Sequence, residues 1–119
     1  MKKNINYIAE IGWNFMGDIE LAKTMILQAK EAGATTVKFQ YWNPEKLKAG
    51  PWDTDGRRDI YKAAFLTAEK INTLMQFCIT NDINFLISAF NLEDAKYLKS
   101  LGVLSLKIPS HSSHDIELH

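Results

Sequence analysis

The sequence predicts an α/β fold in which parallel strands alternate with helices, laid out as four β/α units of a (β/α)8, or TIM, barrel. Three observations lead there. Short apolar runs alternate with stretches of helical periodicity, the order that produces parallel sheets. Each strand carries one apolar face and one face that turns polar toward its carboxyl end, whereas a doubly wound sheet is covered on both faces and reads apolar on both. Polar groups at strand carboxyl ends are the arrangement of a barrel with its chemistry at one mouth. The chain also has 119 residues, about half of the roughly 250 that a complete barrel takes.

The elements follow in order. Tyr7-Ile8-Ala9-Glu10-Ile11 reads as the first strand, and a loop from Gly12 to Gly17 leads into a helix from about Asp18 to Ala32. Ala22, Met25, Ile26, Ala29 and Ala32 recur there at the spacing of one buried face. Asp18 suits the N-cap and Gly33 the C-terminal stop. Thr36 to Tyr41 is the second strand. A long connection from Trp42 to about Phe65 follows, holding Pro44, Gly50, Pro51 and Gly56; connections of this length are usually functional or disordered, and Trp42, Trp52 and Tyr61 could order this one. Thr67 caps a second helix with the stripe Ile71, Leu74, Met75, Cys78 and Ile79. Asn81-Asp82 turns the chain into a third strand, Ile83 to Ser88. Asn91 caps a short helix with Leu92, Ala95 and Leu98 inward, Gly102 stops it, and Leu104 to Ile108 is the fourth strand. The tail from Pro109 to His119 is expected to begin a further helix.

Strand side chains alternate between faces, so parity sorts them. Val37 and Phe39 face the helices, with Thr36, Lys38 and Gln40 opposite. Leu104, Leu106 and Ile108 stand against Ser105 and Lys107, and Ile83, Phe85 and Ile87 against Asn84, Leu86 and Ser88. Ile8 and Glu10 share a face set against Tyr7, Ala9 and Ile11. Glu10, Lys38, Gln40, Ser88 and Lys107 therefore converge at one mouth. Lys38 and Lys107 each follow a helix-ending glycine by five residues, which predicts similar depth in neighbouring strands. One carboxylate with two ammonium groups leaves a positive surplus suited to a phosphate or carboxylate ligand. A structural ion-pair network at a sheet end is the alternative. A Schiff-base lysine, as in aldolases built on the same barrel, is another.

Composition narrows the field. Fourteen Lys and Arg balance fourteen Asp and Glu, giving no reason to expect nucleic acid or an anionic membrane as a partner. With 46% hydrophobic and 24% charged residues the chain reads as a globular domain. No run of apolar residues is long enough to span a bilayer. The start, Met1-Lys2-Lys3-Asn4, is basic, but Glu10 interrupts the apolar stretch behind it, so no secretory signal is expected. A single cysteine, Cys78, excludes an intrachain disulfide and, with the rest, predicts a cytoplasmic location.

Four motifs together resemble one known family. Ile8-Ala9-Glu10-Ile11-Gly12 with Asn14, Gly17 and Asp18 is similar to the opening of the sialic acid (N-acetylneuraminate) synthases. Ala29 to Gln40, with Ala32-Gly33-Ala34 and Val37-Lys38-Phe39-Gln40, continues the match. Phe85 to Phe90 and Leu101 to Ser110, with Lys107-Ile108 and Ser110, extend it through nearly the whole chain. The resemblance implies that residues 1–119 form the N-terminal half of such a barrel, its first four β/α units, without the C-terminal half or the family's antifreeze-like domain. It implies condensation of phosphoenolpyruvate with an N-acyl hexosamine aldehyde to a nonulosonic acid in carbohydrate biosynthesis. Lys38 and Lys107 would hold the phosphoenolpyruvate anion, with Ser88 (where the family has Thr) and Ser110 donating hydrogen bonds. Glu10, the catalytic residue, would orient substrate or stabilise a cationic intermediate, and Gln40 would line the sugar side. Fixed ammonium groups and hydroxyl donors bind such an anion without needing to titrate.

The resemblance also implies a divalent metal, manganese or magnesium, polarising the aldehyde oxygen. The family's metal-binding histidines come from strands beyond the fourth, so no metal ligand is assigned here and the chain by itself is expected to be inactive. It departs from the pattern at Phe15, where the family has His after Asn, and at His111-Ser112, where the family has Gly-Glu. Open strand edges predict assembly, as a homo-oligomer or with a complementing chain.

The remaining residues have plainer readings. His111, His114 and His119 form a loose cluster without an evident third ligand, and read as a solvated tail. Trp13, Trp42 and Trp52 fall in loops, where they either stack on a sugar or pack over the mouth. Cys78 reads as core.

Overall fold

The computed structural model describes residues 5–119; the basic start at 1–4 lies outside them. Four strands, β1 (Ile8–Gly12), β2 (Thr36–Gln40), β3 (Asn84–Ser88) and β4 (Leu106–Lys107), form one sheet in the order β1-β2-β3-β4. Every pairing is parallel. Four helices connect or follow them: α1 (Ile19–Glu31), α2 (Arg57–Ala63), α3 (Ala68–Thr80) and α4 (Leu92–Ser100). Each strand leads through a helix to the next strand beside it, the sequential winding of a (β/α)8 barrel.

The helices begin where side chains satisfy their first amides. Asp18 accepts from the amides of Glu20 (2.9 Å) and Leu21 (3.1 Å), Thr67 from Lys70 (3.3 Å), and Asn91 from Asp94 (2.9 Å). These three residues are the N-caps read from sequence, and such caps are each worth about 1 kcal/mol. The core lies between helices and sheet: Ile11, Val37, Phe39 and Ile87 from the strands meet Ala22, Ile26, Ile71, Leu74, Cys78 and Leu98 from the helices. Burial pushes the Cys78 thiol up to about 12, consistent with a core residue. Phe15 is fully buried with its ring edge-on to Phe39, centroids 5.7 Å apart. It fills the helix side of the sheet, not the mouth.

Several expectations are corrected here. The connection from Trp42 contains the two-turn helix α2 and two 3-10 turns, Pro44–Lys46 and Pro51–Asp53. The fourth strand is shorter than Leu104–Ile108: it is an edge strand pairing only with β3, and Leu104 outside it is 98% exposed. Ile79 is 69% exposed, because eight residues beyond Ile71 the helix has turned roughly 80° past that residue, on the side away from Leu74 and Cys78. Ala32 is likewise exposed. The tail forms a single 3-10 turn, Ser110–Ser112, and looser turns rather than a helix.

Lys38 and Lys107 do not share a depth. Lys38 is in register with Leu86, whereas Lys107 is in register with Ser88, which in turn matches Gln40. Lys107 thus stands one inward-facing layer nearer the mouth than Lys38, with β3 between them. Closing a sheet toward a barrel staggers successive strands, so equal spacing from a glycine does not give equal height.

Two glycines shape the entry to α1. A bulge between Glu10 and Gly12, with Gly12 at φ +58°, drops Ile11 out of the β1–β2 register and into the core while Glu10 stays opposite Lys38. Gly17 sits at φ +84°, where a Cβ would lie 1.9 Å from the carbonyl oxygen of Ala63. Gly17→Ala therefore combines left-handed strain with a backbone clash and should cost about 2 kcal/mol or more. Urea unfolding followed by circular dichroism reads this as a lower midpoint; an unchanged midpoint would refute the close approach.

Candidate functional site

The inward face of the sheet is polar at its carboxyl end because alternate residues of each strand point there. β1 presents Glu10, β2 presents Lys38 and Gln40, β3 presents Ser88, and β4 presents Lys107. The register stacks them in two layers, Glu10–Lys38–Leu86 below Gln40–Ser88–Lys107.

Lys38 is the centre of the group. Its side chain is 14% exposed and forms an ion pair with Glu10 Oε2. Its Nζ also donates to Ser88 Oγ at 3.2 Å. Gln40 Nε2 donates to the other carboxylate oxygen of Glu10 at 3.2 Å. Ser88 is buried. Because its oxygen accepts from Lys38, its own hydroxyl proton is free to be donated elsewhere. Lys107 is exposed beside Ser88 and makes no ion pair or side-chain hydrogen bond among the described residues. Ser110 is exposed at the start of the 3-10 turn after β4. Its carbonyl accepts the Ser113 hydroxyl at 2.7 Å. The structure therefore joins Glu10, Lys38, Gln40 and Ser88 in one network, sets Lys107 alongside, and leaves Ser110 outside it.

The resemblance implies a divalent metal. Among the described residues no three His, Cys, Asp or Glu side chains converge as a donor set. The described residues by themselves therefore do not make up such a donor set, and none of them is assigned as a metal ligand.

Aromatic rings from all four strand-following loops meet above this network. Trp13 follows β1, Trp42 and Tyr61 follow β2, Phe90 follows β3 and His111 follows β4. Trp13 packs on Tyr61 (centroids 4.7 Å) and Trp42 edge-on to Phe90 (4.3 Å). His111 stacks on Phe90 at 5.3 Å, so it is tied to the mouth and is not part of a solvated tail. Trp52 stands apart, donating to the Lys48 carbonyl at 2.7 Å. Weighed singly, the tryptophans do not reveal this cluster. An aromatic ring recurs shortly beyond each strand, and that recurrence is the signal the sequence offers.

Two basic residues anchor the long loop, and neither stands out in the sequence. Arg58 pairs with Asp53 and donates to the carbonyls of Pro44 (3.2 Å) and Leu47 (3.3 Å). Lys46 reaches across to α4, 2.7 Å from Asp94 Oδ1 and 2.9 Å from Glu93. The hydrogen bond to Asp94, then that to Glu93, raises the pKa of Lys46 above its ordinary value.

Parallel strand–helix units with their polar groups gathered at the strand carboxyl ends define a segment of a (β/α)8 barrel. The model of the NeuB family matches residues 25–118, and the chain belongs to that family. It is 34% identical to an N,N'-diacetyllegionaminic acid synthase of Legionella pneumophila over 114 residues, 87% of this chain and 32% of the relative. A pseudaminic acid synthase of Campylobacter jejuni is 29% identical over 95% of this chain and 36% of its own length. Among solved structures, an N-acetylneuraminic acid synthetase from Leptospira borgpetersenii in complex with citrate superposes with a TM-score of 0.79. It is 30% identical, covering 96% of this chain and 39% of that one. The chain spans about a third of the length of the curated relatives it matches.

Tyr41, directly after Gln40, provides a check on how closely the mouth is packed. It is buried against Phe65 and Tyr97. Burial first, then the neighbouring Tyr97 and Asp94, pushes its hydroxyl up to about 12. The folded state thus prefers the neutral phenol, while the unfolded chain ionises near pH 10. The stability from this preference is complete below about pH 10 and is lost as pH rises toward about 12. Phenolate absorbance should show one late-titrating tyrosine that Tyr41→Phe removes; four tyrosines titrating together would refute the packing.

Proposed function

We propose that this chain supplies the phosphoenolpyruvate-binding part of a nonulosonic acid synthase, as the N-terminal half of its barrel. The full reaction would join phosphoenolpyruvate to an N-acyl hexosamine aldehyde. The reading rests on Ser88. Its hydroxyl accepts from Lys38 and so keeps its proton for a ligand, with the Lys107 strand position next to it. A phosphate or carboxylate placed there meets two ammonium groups and a directed hydroxyl, all charge-assisted contacts. The homology to sugar acid synthases supports the reaction class, and the citrate complex of the Leptospira protein is a relative holding a small polyanion.

The other residues take roles that follow from their contacts. Glu10 holds Lys38 in place and presents a carboxylate at the strand ends, where a developing positive charge on the substrate would be stabilised. Gln40, bound to Glu10 through its amide, retains a carbonyl oxygen for a sugar hydroxyl. Ser110 would join only by moving with its loop when the anion binds. The parent activity belongs in carbohydrate biosynthesis, with a cytoplasmic location and a homo-oligomeric or complemented assembly as parts of the proposal.

Titration calorimetry with phosphoenolpyruvate tests the anion site. Lys38→Met should weaken binding about tenfold or more and Ser88→Ala by less, about threefold to tenfold. Gln40→Ala should leave phosphoenolpyruvate affinity nearly unchanged. Equal affinity in the wild type, Lys38→Met and Ser88→Ala would overturn the assignment. Borohydride trapping of a pyruvyl adduct on Lys107, which has no side-chain partner among the described residues, would favour the aldolase-like alternative.

A further inference from the structure

The two outer edges of the sheet complement each other. β1 pairs only with β2 and β4 only with β3, so among the described residues each leaves one side of its backbone unpaired. An unpaired edge is a template for a further strand. Large apolar side chains lie exposed at both edges: Ile5, Tyr7 and Ile8 at the start of β1, and Leu104 and Leu106 at the start of β4. Exposed apolar residues grouped in this way mark a contact surface.

Parity divides them between the faces. Ile5 and Tyr7 share the helix side with Leu104 and Leu106, whereas Ile8 and Glu10 share the inner side with Lys107. Barrel closure fixes which of them meet. Followed across the sheet, the register matches Glu10 with Lys38 and Lys38 with Leu86; Leu86 then falls opposite Ser105, one residue before the Ile87–Leu106 pair. A (β/α)8 barrel closes with a shear of about eight residues, of which four strands account for about four. Carried from β4 onto the β1 edge of a second copy, that stagger sets residues 104–107 opposite residues 5–8. The same stagger in the other sense sets them opposite residues 13–16, which form turns beyond β1.

In this register Leu104 meets Ile5 of the partner subunit and Leu106 meets Tyr7 of the partner subunit on the helix side. Inside, Lys107 meets Ile8 of the partner subunit, one inward-facing position from that subunit's Glu10. Lys107 makes no ion pair or side-chain hydrogen bond among the described residues. The Glu10 side chain is half exposed despite its pairing with Lys38. Apolar groups thus cover apolar groups, and an unpaired ammonium comes beside a carboxylate with room to accept it. Two β4 edges set against each other would instead bring Lys107 close to its own copy, and like charges there repel.

We infer that two copies of this chain close through their β1 and β4 edges into one eight-stranded barrel. Each edge of one copy meets the other edge of its partner, so the assembly is complete at two. Every strand-end group is then shared, with Lys107 of one subunit beside Glu10 of the other. The inference rests on the homo-oligomeric part of the proposed function and not on the anion site. Sedimentation equilibrium over micromolar concentrations should give twice the chain mass. Leu104→Lys should weaken association about tenfold or more, with an unchanged circular dichroism spectrum because that side chain is exposed in the single chain. Asn72→Lys, exposed on α3 behind the middle strands, should leave association unchanged. Chains carrying Tyr7→Cys and Leu106→Cys, once mixed, should be joined by a short bismaleimide, and Leu106→Cys alone should not; the native Cys78 is buried. A monomer throughout the range would overturn the inference and leave a complementing chain as the occupant of the edges. Assemblies larger than two would overturn closure. A dimer indifferent to Leu104→Lys, or Leu106→Cys cross-linked to itself, would overturn these edges while homo-oligomerisation stood.

Discussion

Lys38 lies in the middle strand pair with Glu10 in register on one side and Leu86 on the other, on a face where its side chain is largely withdrawn from water. An ammonium group in that position has to be partnered, and the strands provide the partners: the Glu10 carboxylate from β1 and the Ser88 hydroxyl from β3. The in-register parallel pairing of three strands is therefore inseparable from the charge arrangement at their ends. Half of the Glu10 side chain remains exposed, so the pair contributes modestly to stability. Its consequence is positional, because it fixes where the cation stands and which proton Ser88 has left to give.

The bulge at Gly12 serves the same constraint. It lets Glu10 keep its place opposite Lys38 while Ile11 turns into the core and the chain bends toward α1. Phe15 then closes the helix side of the sheet against Phe39. Above the strand ends, the long loop is held by Arg58 from within and by the Lys46–Asp94 bridge to α4. The aromatic rings from each loop pack against one another, so the mouth is roofed by the loops collectively. As a fully buried core residue, Phe15 brings no polar group to the mouth.

Family membership and geometry bear on different levels. The NeuB family match and the superposition establish the barrel-type fold and link the chain to enzymes that make sugar acids. The contacts around Ser88 address a narrower matter, how an anion would be held. There two lysines, Lys38 and Lys107, stand with one carboxylate, Glu10, at the strand ends.

Much of the fold and of the strand-end site is legible in the residues alone. The alternation of apolar runs with helical stripes, the caps Asp18, Thr67 and Asn91, and the face parity of each strand are local properties, set by backbone periodicity and side-chain hydrogen bonding. Hence strand parity by itself is enough to group Glu10, Lys38, Gln40 and Ser88. Helix α2 escapes such a reading because its short apolar pattern, Ile60, Tyr61 and Ala63, lies among turn residues. The relative height of Lys38 and Lys107, the exposure of Leu104 and Ile79, the stacking of His111 on Phe90 and the Lys46–Asp94 bridge are decided by tertiary structure. Each depends on strand stagger, on how a helix is turned against the sheet, or on contacts between segments distant in sequence, and none of these is encoded in the spacing of residues along one element.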